Sequence, residues 1–117
     1  RFLTVFMFLG LILTLVGCSE MGSVTKRFEK EGYTVEEIDK DELKEYQDEV
    51  DGLKMVYEVS DEDGEFVAYI YEFKSAKALE DGLTEDGEDI DDYKELINKN
   101  LMIITFSQDI IDIFQGK

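Results

Sequence analysis

The 117-residue chain has no histidine, no tryptophan, no proline and a single cysteine, Cys18. Without imidazole it lacks the usual general base near neutral pH and the commonest zinc ligand. One cysteine cannot make an intrachain disulfide, so no disulfide framework holds the fold. Positive charge is scarce too. Twelve Lys and Arg stand against 29 Asp and Glu, a formal net charge of −17. Nucleic-acid binding needs clustered basic groups, so this balance opposes it. Gly10, Gly17, Gly22 and Gly32 are scattered, and no phosphate-cradling loop is present. Serines 19, 23, 60, 75 and 107 sit where a linker, turns and helix caps need them, and none has the setting of a nucleophile elbow.

Paired carboxylates are the one catalytic chemistry left. With 29 acids, some pair falls at any separation, so that signal selects nothing. No catalytic, cofactor-binding or metal-ligating residue is expected, and the chain is not expected to be an enzyme. An EF-hand loop needs an acid at position 1, Gly at 6 and Glu at 12. Aligning Gly64 at position 6 puts Val59 at 1 and Ile70 at 12, and aligning Gly87 puts Gly82 and Tyr93 there. Neither fits. The run 85–92 holds six acids in eight positions and reads as a solvated loop, with weak divalent-cation association as its alternative use.

The acids are not spread evenly. Residues 1–17 carry only Arg1 and no acid, and every Asp and Glu lies from Glu20 onward. Without that segment the charge is 11 against 29, or −18. Phe2 to Val16 is a fifteen-residue apolar run broken only by Thr4, Gly10 and Thr14. A membrane-spanning helix needs about 20 apolar residues. A short run behind a positive end, followed by small residues, reads instead as a secretory signal. Because the chain opens on Arg1 rather than Met, the charged region is expected to begin upstream.

Leu15-Val16-Gly17-Cys18 resembles the lipobox of bacterial lipoproteins: an aliphatic residue, a tolerant position, a small residue, then Cys. The resemblance covers residues 1–18 alone. It implies a diacylglyceryl group on the Cys18 sulfur and cleavage just before it, with two acyl chains sufficing for stable anchoring. The expected organisation is a signal peptide over 1–17, a short anchored linker over 18–23 and one domain over 24–117. Five extended residues after Cys18 reach roughly 17 Å, which keeps the domain close to the bilayer. Leu11 to Gly17 also resembles the short aliphatic peptides that some Gram-positive bacteria trim from such signals as pheromones, although membrane insertion alone already demands that composition.

In the domain, Val24–Glu31 reads as a helix between Ser23 as N-cap and Gly32. Tyr33–Ile38 reads as a strand with Tyr33 and Val35 on one face. Asp41–Val50 places Leu43, Tyr46 and Val50 at helical spacing. Leu53–Val59 and Glu65–Phe73, around Asp63-Gly64, form a hairpin, with Leu53, Met55, Tyr57 and Val59 expected on one face. Glu65–Phe73 is apolar on both faces, so it should be central in the sheet and covered on both sides. Ser75 should cap a helix over 76–81 that Gly82 ends. Residues 93–97 fit a helix or a strand, with a slight lean toward a strand turning at Asn98-Lys99-Asn100. Leu101–Phe106 reads as a buried strand, and Ser107 should cap a last helix with Ile110, Ile111, Ile113 and Phe114 inward.

The order predicts an α+β domain in two layers, an antiparallel sheet with helices on one face. It is either the ferredoxin-like βαββαβ arrangement or a pair of αββ units. Composition and element order also resemble the small acidic lipoproteins of low-GC Gram-positive bacteria, many without an assigned function. The expected role is a lipid-anchored, extracytoplasmic, non-catalytic domain on the cell membrane that binds or modulates another envelope component. The alternative is a weak divalent-cation or cationic-ligand-binding module. Expected partners are the membrane, through the acyl chains on Cys18, and an envelope protein. Tyr57, Tyr69 and Tyr71 read as packing residues more than as a binding surface.

Overall fold

Met21, Val24, Thr25 and Phe28 recur at helical spacing, and in the computed structural model, which describes residues 20–117, they are the buried stripe of helix α1, Glu20–Lys30. The helix therefore reaches at least four residues upstream of Val24. Ser23 lies inside it rather than at its N-cap, because Met21 joins the core and continues the apolar face one turn upstream. Most of the expected linker is helix.

Strand β1 (Thr34–Glu37) leads to α2 (Lys40–Glu49), β2 (Leu53–Ser60), β3 (Phe66–Phe73) and α3 (Ala76–Glu85). A 3-10 helix over Ile90–Leu96 precedes β4 (Ile97–Asn98), β5 (Leu101–Ile104) and α4 (Gln108–Gln115). The sheet order is β1-β2-β3-β5-β4 and every pair is antiparallel. The domain is α+β, as expected. The ferredoxin-like order, in which the two strands flanking a helix are split by a third, is not the one observed, because β1 pairs directly with β2. β1-β2-β3 is instead a meander, with α2 inserted in its first connection, and β4-β5 is a separate hairpin.

β3 is the middle strand of five, as its two apolar faces demanded. Helices α1 and α4 lie on its first face and form the main layer. There Val24 and Phe28 meet Val59, Ala68, Ile70, Leu101, Ile103, Ile110 and Phe114. Arg27 ties the two helices by donating from Nε to the carbonyl of Ile113 at 2.8 Å, and from its other arm to that of Phe114. The second face carries α2 and α3, whose Leu43, Tyr46, Ala78 and Leu79 pack with Ile38, Leu53, Val56 and Phe73.

Several boundaries moved, each for a local reason. A β-bulge shifts the register between Leu53/Phe73 and Met55/Glu72, so Leu53 joins Val56 on the second face while Tyr57 and Val59 stay on the first. Helix α3 runs through Gly82 to Glu85, because Leu79 and Leu83 continue its inward stripe and the chain turns only at Asp86-Gly87, where Gly87 has φ +81°. The ambiguous 93–97 divides between the two readings, Tyr93 to Leu96 in the 3-10 helix and Ile97 in β4. Strand β5 stops at Ile104 instead of Phe106, and Phe106 is fully exposed. There the Thr105 hydroxyl donates to the carbonyl of Val67 at 3.0 Å and accepts from the amide of Ser107, which turns the chain into the last helix. Ser75 and Ser107 are N-caps as expected, accepting from the amides of Ala78 and Ile110 at 3.0 and 3.4 Å.

Candidate functional site

The second face of the sheet is covered at its margins by α2 and α3, and between them a groove of about 220 Å³ remains. Tyr71 and Phe73 of β3 and Met102 and Ile104 of β5 supply its floor. These side chains share a face because β3 and β5 pair Tyr69 with Ile104 and Tyr71 with Met102. Val50 closes one side and Leu79 and Leu83 of α3 the other. Its margins are acidic: Glu49 and Asp51 beside α2, Glu85 and Asp86 at the end of α3. Among the described residues no lysine or arginine lines it.

The tyrosines on this face register that charge. Tyr46 packs edge-on against Tyr71, with ring centroids 5.8 Å apart. Desolvation raises the Tyr71 pKa, with Tyr69 and then Glu49 adding to it. Tyr69 is raised by desolvation, by its interaction with Tyr46, and by Glu58 and Glu42. Ile104, 40% exposed, extends the apolar floor toward solvent.

Two glycines lie where α3 meets the sheet, and only one of them limits its approach. At Gly82 an added Cβ would stand 3.9 Å from the Phe73 ring, ordinary contact, and φ is that of a helix. Gly82→Ala is therefore expected to raise stability by about 0.5–1 kcal/mol. At Gly52, with φ +80°, a Cβ would come within 2.9 Å of the Ala78 Cβ. Gly52→Ala is expected to cost about 2 kcal/mol or more, from left-handed strain and from forcing α3 off the sheet. Thermal unfolding of the two variants should move in opposite directions.

Elsewhere the polar groups are occupied with the fold. Glu72, 5% exposed on the first face, accepts from the Tyr57 hydroxyl at 2.9 Å. Burial, and then the Glu72 charge, push the Tyr57 phenol far up. In the acidic run, Asp89 caps the 3-10 helix by accepting from the amide of Asp91, and Glu88 accepts from the Tyr93 hydroxyl at 3.0 Å. That hydrogen bond is the first cause of the raised Tyr93 pKa. Asp61 accepts from the amides of Asp63 and Glu65, both at 2.9 Å, and so builds the hairpin turn. Among the described residues no three acidic or cysteine side chains converge on a point that could hold a metal ion.

Cys18, the expected lipidation residue, and the expected signal over 1–17 lie outside the described residues. No helix among the described residues is long and apolar enough to cross a membrane. The groove was not read from the sequence. Tyr71 and Phe73 were visible as strand residues, but Met102 and Leu83 join them only through strand pairing and helix docking. The one available signal was the Leu79/Leu83 spacing, which the intervening Gly82 obscured. Comparison with protein-family models, with curated proteins and with solved structures gives no match.

Proposed function

We propose that the protein is a lipid-anchored, extracytoplasmic, non-catalytic domain that binds or modulates another component of the cell envelope. The anchor half rests on the sequence Leu15-Val16-Gly17-Cys18 behind a fifteen-residue apolar run. The binding half is supported by one observation above the rest, the open apolar groove on the second face of the sheet with carboxylates along its margins. At about 220 Å³ it is smaller than the roughly 300–1,000 Å³ usual for small-molecule and cofactor sites. That size suits an anchoring side chain of another protein.

Because α1 already includes Glu20 and buries Met21, at most Ser19 separates Cys18 from the described helix. One residue reaches about 3.5 Å, so lipid on Cys18 would hold the domain directly against the bilayer. The excess of acidic groups repels an anionic lipid surface, which keeps all but the acyl chains out of it.

The wild-type chain, expressed with an intact export pathway, should partition with the membrane and show two acyl chains on Cys18 by mass spectrometry. Cys18→Ala should abolish the lipid and leave uncleaved precursor or a soluble form cut elsewhere. Wild-type protein in the medium with a free Cys18 thiol would overturn the anchor. Turnover of any substrate, lost on one Asp or Glu substitution, would overturn the non-catalytic reading.

A further inference from the structure

We propose that the groove between α2 and α3 receives a basic segment of a partner protein, one that seats an apolar side chain on Tyr71 and Met102 and sets Lys or Arg against the acids on either side. This rests on the binding reading above and names its site and the chemistry of its partner. Three observations carry it. The floor is apolar and aromatic, and Ile104 leaves it open to solvent at 40% exposure. Its margins are acidic, with Glu49 and Asp51 at the end of α2 and Glu85 and Asp86 at the end of α3. None of these four carboxylates has a lysine or arginine partner among the described residues, where the ion pairs are Lys77–Asp81, Lys94–Asp91 and Lys99–Glu20.

Charge complementarity selects the occupant. A second copy would bring another −17 to an acidic rim, and an acidic or neutral peptide would cover the carboxylates without compensating them. A bare divalent ion needs converging ligands, and none converge among the described residues. A Lys or Arg beside the anchor meets the rim acids. The apolar anchor supplies the affinity and the flanking charges supply orientation and encounter rate.

The full chain, held in phosphatidylcholine nanodiscs and labelled at its methionine methyls, reports the site directly. Met102 lines the groove, whereas Met21 and Met55 lie outside it. The probe is the capped peptide Lys-Lys-Phe-Lys-Lys. It should shift the Met102 methyl saturably and leave Met21 and Met55 in place. Lys-Lys-Ser-Lys-Lys and Glu-Glu-Phe-Glu-Glu should bind far less tightly. Neutralising the rim with Glu49→Gln, Asp51→Asn, Glu85→Gln and Asp86→Asn should weaken the probe by about tenfold, since each exposed pair contributes little alone. Ile104→Lys should abolish the shift, with unchanged Met21 and Met55 signals showing that the fold persists.

No saturable Met102 shift, equal binding of the serine peptide, or tighter binding after rim neutralisation would overturn the inference. The anchor fails separately. Lipid on Cys18 with an unresponsive Met102 leaves the anchored reading standing and removes this one. A saturable Met102 shift in a chain secreted with a free thiol does the reverse.

Discussion

Phe28→Ala is expected to destabilise the domain by about 3–5 kcal/mol, most of what a protein of this size has to spare. Phe28 is fully buried at the C-terminal end of the α1 stripe, clustered with Val59, Ala68 and Ile70 in the main core. It also meets Tyr33 edge-on, with ring centroids 5.8 Å apart, which fixes the turn from α1 into β1. Truncation leaves a cavity between helix and sheet that neither element can close without breaking the Arg27 bonds to α4. In urea the midpoint should fall sharply with an unchanged slope. Phe66→Ala and Phe106→Ser, at positions 53% and fully exposed, should stay within about 0.5 kcal/mol of wild type. A mild Phe28→Ala, or a Phe106→Ser as severe, would contradict the placement of α1 on the sheet.

Tyr57→Phe is expected to cost about 1.5–3 kcal/mol near neutral pH, the usual range for a hydrogen bond to a charged group. The Glu72 carboxylate is 5% exposed and takes its 2.9 Å hydrogen bond from the Tyr57 hydroxyl, so the variant leaves a buried acceptor without this donor. The same pair determines behaviour in alkali. Burial and Glu72 both disfavour the phenolate, so the folded protein holds the Tyr57 proton more tightly than the unfolded chain does. The stability from this difference is complete below the ordinary tyrosine value near pH 10. It is lost as pH rises through that value toward the higher folded one. Wild type should therefore lose stability steeply above about pH 10, with Tyr57 ionising as the chain unfolds, and Tyr57→Phe should flatten that loss. Urea unfolding across the alkaline range, read beside phenolate absorbance, checks both. Tyr93→Phe removes an exposed hydrogen bond to Glu88 and should change stability by less than about 0.5 kcal/mol. Equal alkaline slopes in wild type and Tyr57→Phe would refute the account.

Much of this architecture was legible without the structure, and for a physical reason. The α+β class, the β2–β3 hairpin around Asp63-Gly64 and the Ser75 and Ser107 caps depend on spacing and turn chemistry within a few residues. The centrality of β3 follows from its own composition, since a strand apolar on both faces must be covered on both. The absence of imidazole and of a second cysteine is likewise a property of the chain alone. So is the lipobox-like run ending at Cys18, on which the anchored reading rests.

Tertiary contacts decided the rest. Whether Leu53 sides with Met55 or with Val56 depends on a bulge that forms only when β3 sets the register opposite it. Gly82 ends a helix in isolation but continues one here, because Leu79 and Leu83 gain more by packing on the second face than one glycine costs. Met21 extends α1 because a core exists to receive it. The groove belongs to the same class. Tyr71, Leu83 and Met102 stand far apart along the chain, and only antiparallel pairing and the docking of α3 bring them to one floor. Local periodicity encodes which residues seek burial, while the partner each one finds is set by contacts distant in sequence.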